Sequence, residues 1–360
     1  MVSTRRKLET RSHLLMHARS LVTVAAILLA MSFAAAQARD LTVVALAPAQ
    51  SAVRQVFAKP FSEATAIATN VISWGGDMDT LRGQVKTPDN TWDVVMVDSE
   101  GLAAGCSENL FEKLDWSAIG GKDHYLPQGV SDCGVGAGVA SLALAWDRDK
   151  SPTPPTWADF WDVAKFPGKR GLHNGVRGNL EFALLADGVA PGDVYKVLAT
   201  SDGVDRAFRK LDQLKPYIVW WNDDAEAARI LTSGDVLMSS AFAPQIAQVN
   251  RTAHRNFGIQ WAASLYEVQS WAIVKGSPNA RQATQFLYFA GTPAIEARLV
   301  GQFGDGGLAK GANDGLPAEL AQLSPTTPAN LNAAVRVDVG FWHDNLAKLR
   351  QRFDTWLAAH

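Results

Sequence analysis

Three short apolar runs, each followed by a stretch of helical periodicity, constrain this chain more than any other feature. Leu41-Thr42-Val43-Val44-Ala45-Leu46 has the length and branching of a buried strand, and residues 52–65 then set Val53, Val56, Phe57 and Phe61 on one side of a helix. Asn70-Val71-Ile72-Ser73-Trp74 is a second strand, ending at Gly75-Gly76-Asp77 before helical spacing resumes through Leu81 and Val85. Asp93-Val94-Val95-Met96-Val97-Asp98 is a third, capped by Ser99-Glu100. Strands that alternate with helices imply βαβ units and a parallel sheet. In such sheets small molecules bind beyond the C-terminal ends of the strands. Those ends make Trp74, Asp77, Ser99 and Glu100 candidate ligand contacts.

The alternation continues beyond residue 135. Val135 to Trp146 reads as one or two buried strands, and Ser151-Pro152-Thr153-Pro154-Pro155-Thr156 is a proline-rich break. A turn at Phe166-Pro167-Gly168-Lys169-Arg170 enters a strand at Gly171-Leu172, followed by helices near Leu180–Ala186 and Gly203–Leu214. Ile218-Val219-Trp220-Trp221 and Val236-Leu237-Met238-Ser239-Ser240 are strand-like, and the two tryptophans read as packing residues. The stretch Ser264 to Pro278 is different in kind. Alternation puts Glu267, Gln269 and Trp271 on one strand face, so a carboxylate, an amide and a large ring line up before the chain turns at Lys275-Gly276-Ser277-Pro278-Asn279. Residues 330–357 read as mostly helical.

The first 38 residues stand apart. Arg5, Arg6, Lys7, Arg11 and Arg19 precede or flank the 13-residue apolar run Leu21–Phe33, and Ala36-Gln37-Ala38 is a small-x-small cleavage site. This is the pattern of an export signal cut before Arg39, and 13 residues are too short to span a hydrocarbon core of ~30 Å. The whole chain has 34 Lys+Arg and 36 Asp+Glu; losing the five basic residues and Glu9 leaves 29 against 35, a net charge of −6. That balance argues against a nucleic-acid partner. Cys106 and Cys133 are the only cysteines, and in an exported chain an isolated pair reads most simply as a disulfide. Enzyme classes find no support. There is no Gly-x-Ser-x-Gly or His-Glu-x-x-His motif, and His124, His173, His254, His343 and His360 are widely spaced. No metal or cofactor site is expected.

Several segments, in order, carry a family resemblance: Thr91-Trp92-Asp93-Val94-Val95, Phe111-Glu112-Lys113-Leu114-Asp115-Trp116, Thr156-Trp157-Ala158-Asp159-Phe160-Trp161-Asp162, Phe166-Pro167-Gly168-Lys169-Arg170, Leu231-Thr232-Ser233-Gly234-Asp235-Val236 and Trp271-Ala272-Ile273-Val274-Lys275-Gly276-Ser277-Pro278-Asn279. Together they resemble the periplasmic solute-binding proteins of ATP-driven importers, of the spermidine/putrescine-binding type. The resemblance implies an α/β, two-lobe, type II periplasmic-binding-protein fold, each lobe a mostly parallel sheet flanked by helices. It places residues 39–147 with 273–325 in lobe 1, 148–272 in lobe 2, and 326–360 in C-terminal helices. It also implies a monomer in the periplasm, a small-molecule ligand in the cleft, an ABC transporter permease as partner, and no catalysis.

The ligand is where the chain departs from that pattern. Polyamine binders clamp amines with carboxylates between aromatic faces, using charge-assisted hydrogen bonds and cation–π contacts. Gln269 stands where an amine-clamping aspartate is expected, with Glu267 one strand period earlier as its replacement. The Gly175-Val176-Arg177-Gly178-Asn179 segment offers Arg177 and Asn179 where an acid is expected, and Phe242 is retained of an aromatic-polar pair. Lobe 2 therefore contributes Arg177, Asn179, Phe242, Glu267, Gln269 and Trp271 as candidates. A polyamine held by Glu100 and Glu267, an amino-acid-like zwitterion using Arg177, and a role in sensing rather than transport all remain open at the level of sequence.

Overall fold

The computed structural model describes residues 39–87 and 90–359. The expected export signal, residues 1–38, lies outside the described residues. No helix among the described residues is long and apolar enough to cross a membrane.

The described strands form one nine-stranded sheet, ordered β2-β1-β3-β8-β4-β7-β5-β6 with β9 added on β8. Its first part is the parallel trio β1 (Leu41–Leu46), β2 (Thr69–Trp74) and β3 (Val94–Val97). A second parallel trio is β5 (Arg170–His173), β6 (Ile218–Trp221) and β7 (Met238–Phe242). Between them run two long antiparallel strands, β4 (Val135–Asp147) and β8 (Phe257–Ile273). β4 carries the chain from the first trio to the second and β8 carries it back; β8 meets β3 and β4 meets β7, both antiparallel. This is the two-lobe type II arrangement. It follows from the pattern: apolar runs buried on both faces make the parallel trios, and only two strands are long enough to cross.

Alternation along the strands splits each trio's core between two faces. Val43, Ala45, Val94 and Met96 pack with the helical residues Val53, Phe57 and Phe61, while Val44, Val95 and Val97 pack with Trp74, Trp92 and Phe111 on the other side. The helix of residues 50–65 carries a π-helical segment at Val53–Ala58. The Lys275–Asn279 turn is fixed by the buried Asp93, which accepts from Thr42 N–H (2.8 Å), Ser277 Oγ (2.6 Å) and Asn279 Nδ2 (3.1 Å). Lys275 also pairs with Glu112 at 2.7 Å. One carboxylate thus ties the Trp92-Asp93 segment to the Lys275–Asn279 turn. Cys106 and Cys133 form the expected disulfide, tying the end of α1 (Ser99–Ser107) to the segment before β4.

Residues 330–357 are mostly helical, as expected, with one short interruption. There β9 (Val335–Arg336) pairs in parallel with Leu265 and Tyr266 of β8. The reason is an open edge. β3 covers β8 only from Ser270 to Ile273, and an uncovered strand edge attracts any extended segment nearby. The final helix, α4 (Val339–Ala358), then packs Trp342, Leu349 and Phe353 into the core of the second trio. The two helices used below are α2 (Asn179–Ala186), which follows β5, and α3 (Asp224–Ser233), which follows β6.

Candidate functional site

β5, β6 and β7 end at His173, Trp221 and Phe242, all on the edge where a parallel sheet binds ligands. A cavity of about 330 Å³ opens there, lined by Ala140, Leu142, His173, Arg177, Gly178, Trp221, Asp224, Phe242, Leu265, Tyr266, Glu267 and Val337. This lies at the small end of the ~300–1,000 Å³ range of small-molecule sites. Strand register builds its floor: Ala140 faces Glu267, and Leu142 lies between Leu265 on β8 and Phe242 on β7. His173 and Trp221 are register partners, with ring centroids 4.7 Å apart, and Trp221 meets Phe242 edge-on at 6.4 Å.

The polar groups converge from three elements. Arg177 sits on the loop between β5 and α2, where Gly178 takes φ of 88°, a left-handed turn that suits glycine. Arg177 Nη2 donates to Glu267 Oε2 at 2.9 Å, with the two side chains 31% and 21% exposed. Burial pushes the Glu267 carboxyl above its ordinary range; Arg177 opposes that shift, and the charge of Asp98 adds to it. The Ser99 amide also lies close enough to the Glu267 carboxyl to oppose its rise, but Glu267 Oε1 is buried and meets no donor at full hydrogen-bond geometry among the described residues, and Trp221 Nε1, on a ring only 1% exposed, meets no acceptor. Burial, then the neighbouring Asp223, raises the Asp224 carboxyl. Burial, then the charge of Arg350, lowers the His173 imidazole, which favours its neutral form beside Arg177.

Of the ten sequence candidates, Arg177, Phe242 and Glu267 come together around this cavity. Ser99 approaches from the first trio, its Oγ donating to Val268 O at 2.9 Å, and Glu100 pairs with His343 at 3.1 Å. Gln269 is half-buried on the Glu267 face, one period along, outside the cavity lining. Four candidates have other work. Trp74 is buried edge-on against Trp92, its Nε1 donating to Met96 O (3.0 Å). Asp77 caps its helix through the Asp79 and Thr80 amides. Asn179 spends its Nδ2 hydrogens on His173 O (2.7 Å) and Gly175 O (2.6 Å), bracing the arginine loop from beneath. Trp271 is 1% exposed, its ring packed edge-on against Phe57 and Phe286. Alternation fixes a side of the sheet, not which lobe's core covers it, and here the first trio's core covers Trp271.

His173, Trp221, Asp224, Tyr266 and Val337 also line the cavity and are not singled out as ligand contacts by the sequence; Trp221 is packed, as its strand position implies, and borders the cavity as well. One signal was available for three of them. His173 and Trp221 close strands, and Asp224 opens the helix after the second, so the strand-end rule that picked out Trp74 and Ser99 applies equally in the second trio.

The comparisons agree with this geometry. Residues 57–328 match the family model described as bacterial extracellular solute-binding protein. The chain is 42% identical over 336 residues to a gamma-aminobutyric acid-binding protein of Pseudomonas aeruginosa, covering 92% of this chain and 95% of that one. The solved Atu4243–GABA receptor superposes with a TM-score of 0.77 at 28% identity, over 89% of this chain and 98% of that one. The spermidine/putrescine transporter substrate-binding protein of Streptococcus pneumoniae reaches a TM-score of 0.74 over 89% of this chain and 100% of that one, but at 16% identity this is a likeness of fold alone. Two parallel trios joined by crossing strands, with a half-buried charge pair at a strand-end cavity, are the setting in which these matches fall, and the chain belongs to the bacterial extracellular solute-binding proteins.

Proposed function

We propose that this chain captures a small zwitterionic, amino-acid-like solute of the γ-aminobutyrate type and delivers it to an ABC transporter permease. One observation carries the ligand class. Two residues that line the cavity each carry a buried polar atom without a hydrogen-bond partner within the described residues, the acceptor Glu267 Oε1 and the donor Trp221 Nε1. Buried polar groups without partners are costly. A ligand with an ammonium at one end and a carboxylate at the other relieves both costs at once. In this reading the ammonium docks on Glu267 and Asp224, the carboxylate on Arg177 and the Trp221 N–H, and the methylene chain lies against Phe242, Leu142 and Leu265. Ser99 and Glu100 approach from the opposite lobe, with Gln269 at the margin.

A polyamine fits less well. Arginine stays charged in a protein, so Arg177 places a fixed cation in a cavity that would have to hold a polycation. The relatives named for GABA support the same choice. The remainder of the proposal follows the family: export to the periplasm with cleavage between Ala38 and Arg39, lobes bounded at residues 147/148 and 272/273, a monomer, and hinge closure about the solute.

Calorimetry on protein unfolded, dialysed and refolded to remove endogenous solute tests the reading. Titration with γ-aminobutyrate should give saturable heat, and putrescine and spermidine should give none at the same concentrations. Absence of heat with γ-aminobutyrate and other short ω-amino acids overturns it.

A further inference from the structure

We propose that the C-terminal helix α4 is a latch: through the buried Glu181 it sets the arginine loop, and through His343 it grips the opposite lobe. The inference rests on the cavity above being the solute site. Glu181 never touches that cavity, and it is fully buried on α2. Its Oε2 accepts the Gly178 N–H at 2.9 Å, and its Oε1 accepts the Tyr195 hydroxyl and the Trp342 Nε1–H, both at 2.8 Å. Gly178 lines the cavity and is bonded to Arg177. The carboxylate that fixes the loop is therefore itself held by the first turns of α4.

The next residue reaches the other way. A carboxylate only accepts, so His343 Nδ1 carries the hydrogen it shares with Glu100 Oε1 at 3.1 Å. Glu100 lies in the first turn of α1, beside Ser99, whose Oγ bonds the β8 backbone next to Glu267. Just upstream, Val337 N–H donates to Tyr266 O (3.0 Å), and Val337 lines the cavity. One short segment, residues 337–343, thus touches the cavity wall, the loop of the carboxylate-binding arginine and the opposite lobe. Any shift of Arg177 onto a solute is transmitted through Glu181 and Trp342 to the His343–Glu100 contact. Glu181 is a positioning residue, since it acts on the solute only through Arg177.

The test uses the full chain, with hydrogen exchange measured on ligand-free protein and γ-aminobutyrate affinity measured by calorimetry. Trp342→Phe keeps a ring and removes the donor. It should raise exchange at Gly178 about tenfold, as expected for a lost buried hydrogen bond, and weaken γ-aminobutyrate binding. His343→Ala should leave Gly178 protected, raise exchange at residues 99–102, and weaken binding by about threefold, as for an exposed pair. Unchanged exchange at Gly178 in Trp342→Phe, at an unaltered urea midpoint, overturns the latch, as does unchanged exchange at 99–102 in His343→Ala. Wild-type protein that gives no heat with γ-aminobutyrate removes the ligand reading alone, because the exchange comparisons need no ligand.

Discussion

Replacing Arg177 by methionine isolates the charge logic of the cavity. Methionine keeps much of the side chain's apolar bulk and removes the guanidinium. The change deletes the proposed carboxylate anchor and strips Glu267 of its 2.9 Å partner. Truncating one member of a fully buried charge pair costs about 2–5 kcal/mol. Here the side chains are 31% and 21% exposed, so solvent screens part of that and about 2 kcal/mol is the reasonable expectation. At about 1.4 kcal/mol per decade, this weakens γ-aminobutyrate binding roughly 30-fold. A second consequence follows from the sign of the Glu267 shift. Burial already raises this carboxyl and Arg177 opposes the rise, so without Arg177 it moves further up. Ammonium binding needs the ionised carboxylate, so what affinity remains should strengthen more steeply with pH than in the wild type. Putrescine, no longer repelled, should gain relative to γ-aminobutyrate. Calorimetry at several pH values reads all three effects, and urea unfolding of the ligand-free variant separates them from misfolding. A γ-aminobutyrate affinity within threefold of wild type, in a protein with an unchanged urea midpoint, would refute the assignment of Arg177.

Three further outcomes are expected. Glu296, buried beneath residues 308 and 309 and accepting from the Ala309 N–H, has its carboxyl pushed up by burial from 4.5 to about 8. The native state therefore holds a proton that the unfolded chain releases, and this stabilisation is full below pH 4.5 and lost as pH rises through 8. Urea unfolding across that window should show Glu296→Gln lacking a slope of about 1.4 kcal/mol per pH unit that the wild type carries; parallel slopes contradict the assignment. Trp271→Ala should lower stability by about 3–5 kcal/mol yet shift γ-aminobutyrate affinity less than twofold, and a large affinity loss in folded protein would return Trp271 to the site. Reduction of the Cys106–Cys133 bond, whose residues lie 27 apart in sequence, should cost about 3–4 kcal/mol on the chain-entropy model, seen as a lower urea midpoint in reductant; an unchanged midpoint would show that the bond constrains little.

The sequence by itself determined the architecture. Apolar runs such as Leu41–Leu46 and Asp93–Asp98, spaced by helical periodicity, can only bury both faces in parallel sheets, and this local information survives without knowledge of distant contacts. The disulfide was legible for a similar reason, as two cysteines offer one pairing. Arg177 and Glu267 were legible as charged residues in strand-end and strand-face positions. Their partnership was not, because it joins residues 90 apart through the register of β4, β7 and β8. Trp221 and Trp271 show the limit most clearly. Each is an aromatic in an apolar strand and each is 1% exposed. One ends its strand at the cavity and the other is clamped between Phe57 and Phe286. Side-chain chemistry and alternation are the same for both. Only the tertiary arrangement, which sets what covers each face of the sheet, decided which ring borders the cavity and which is sealed in the core of the first trio.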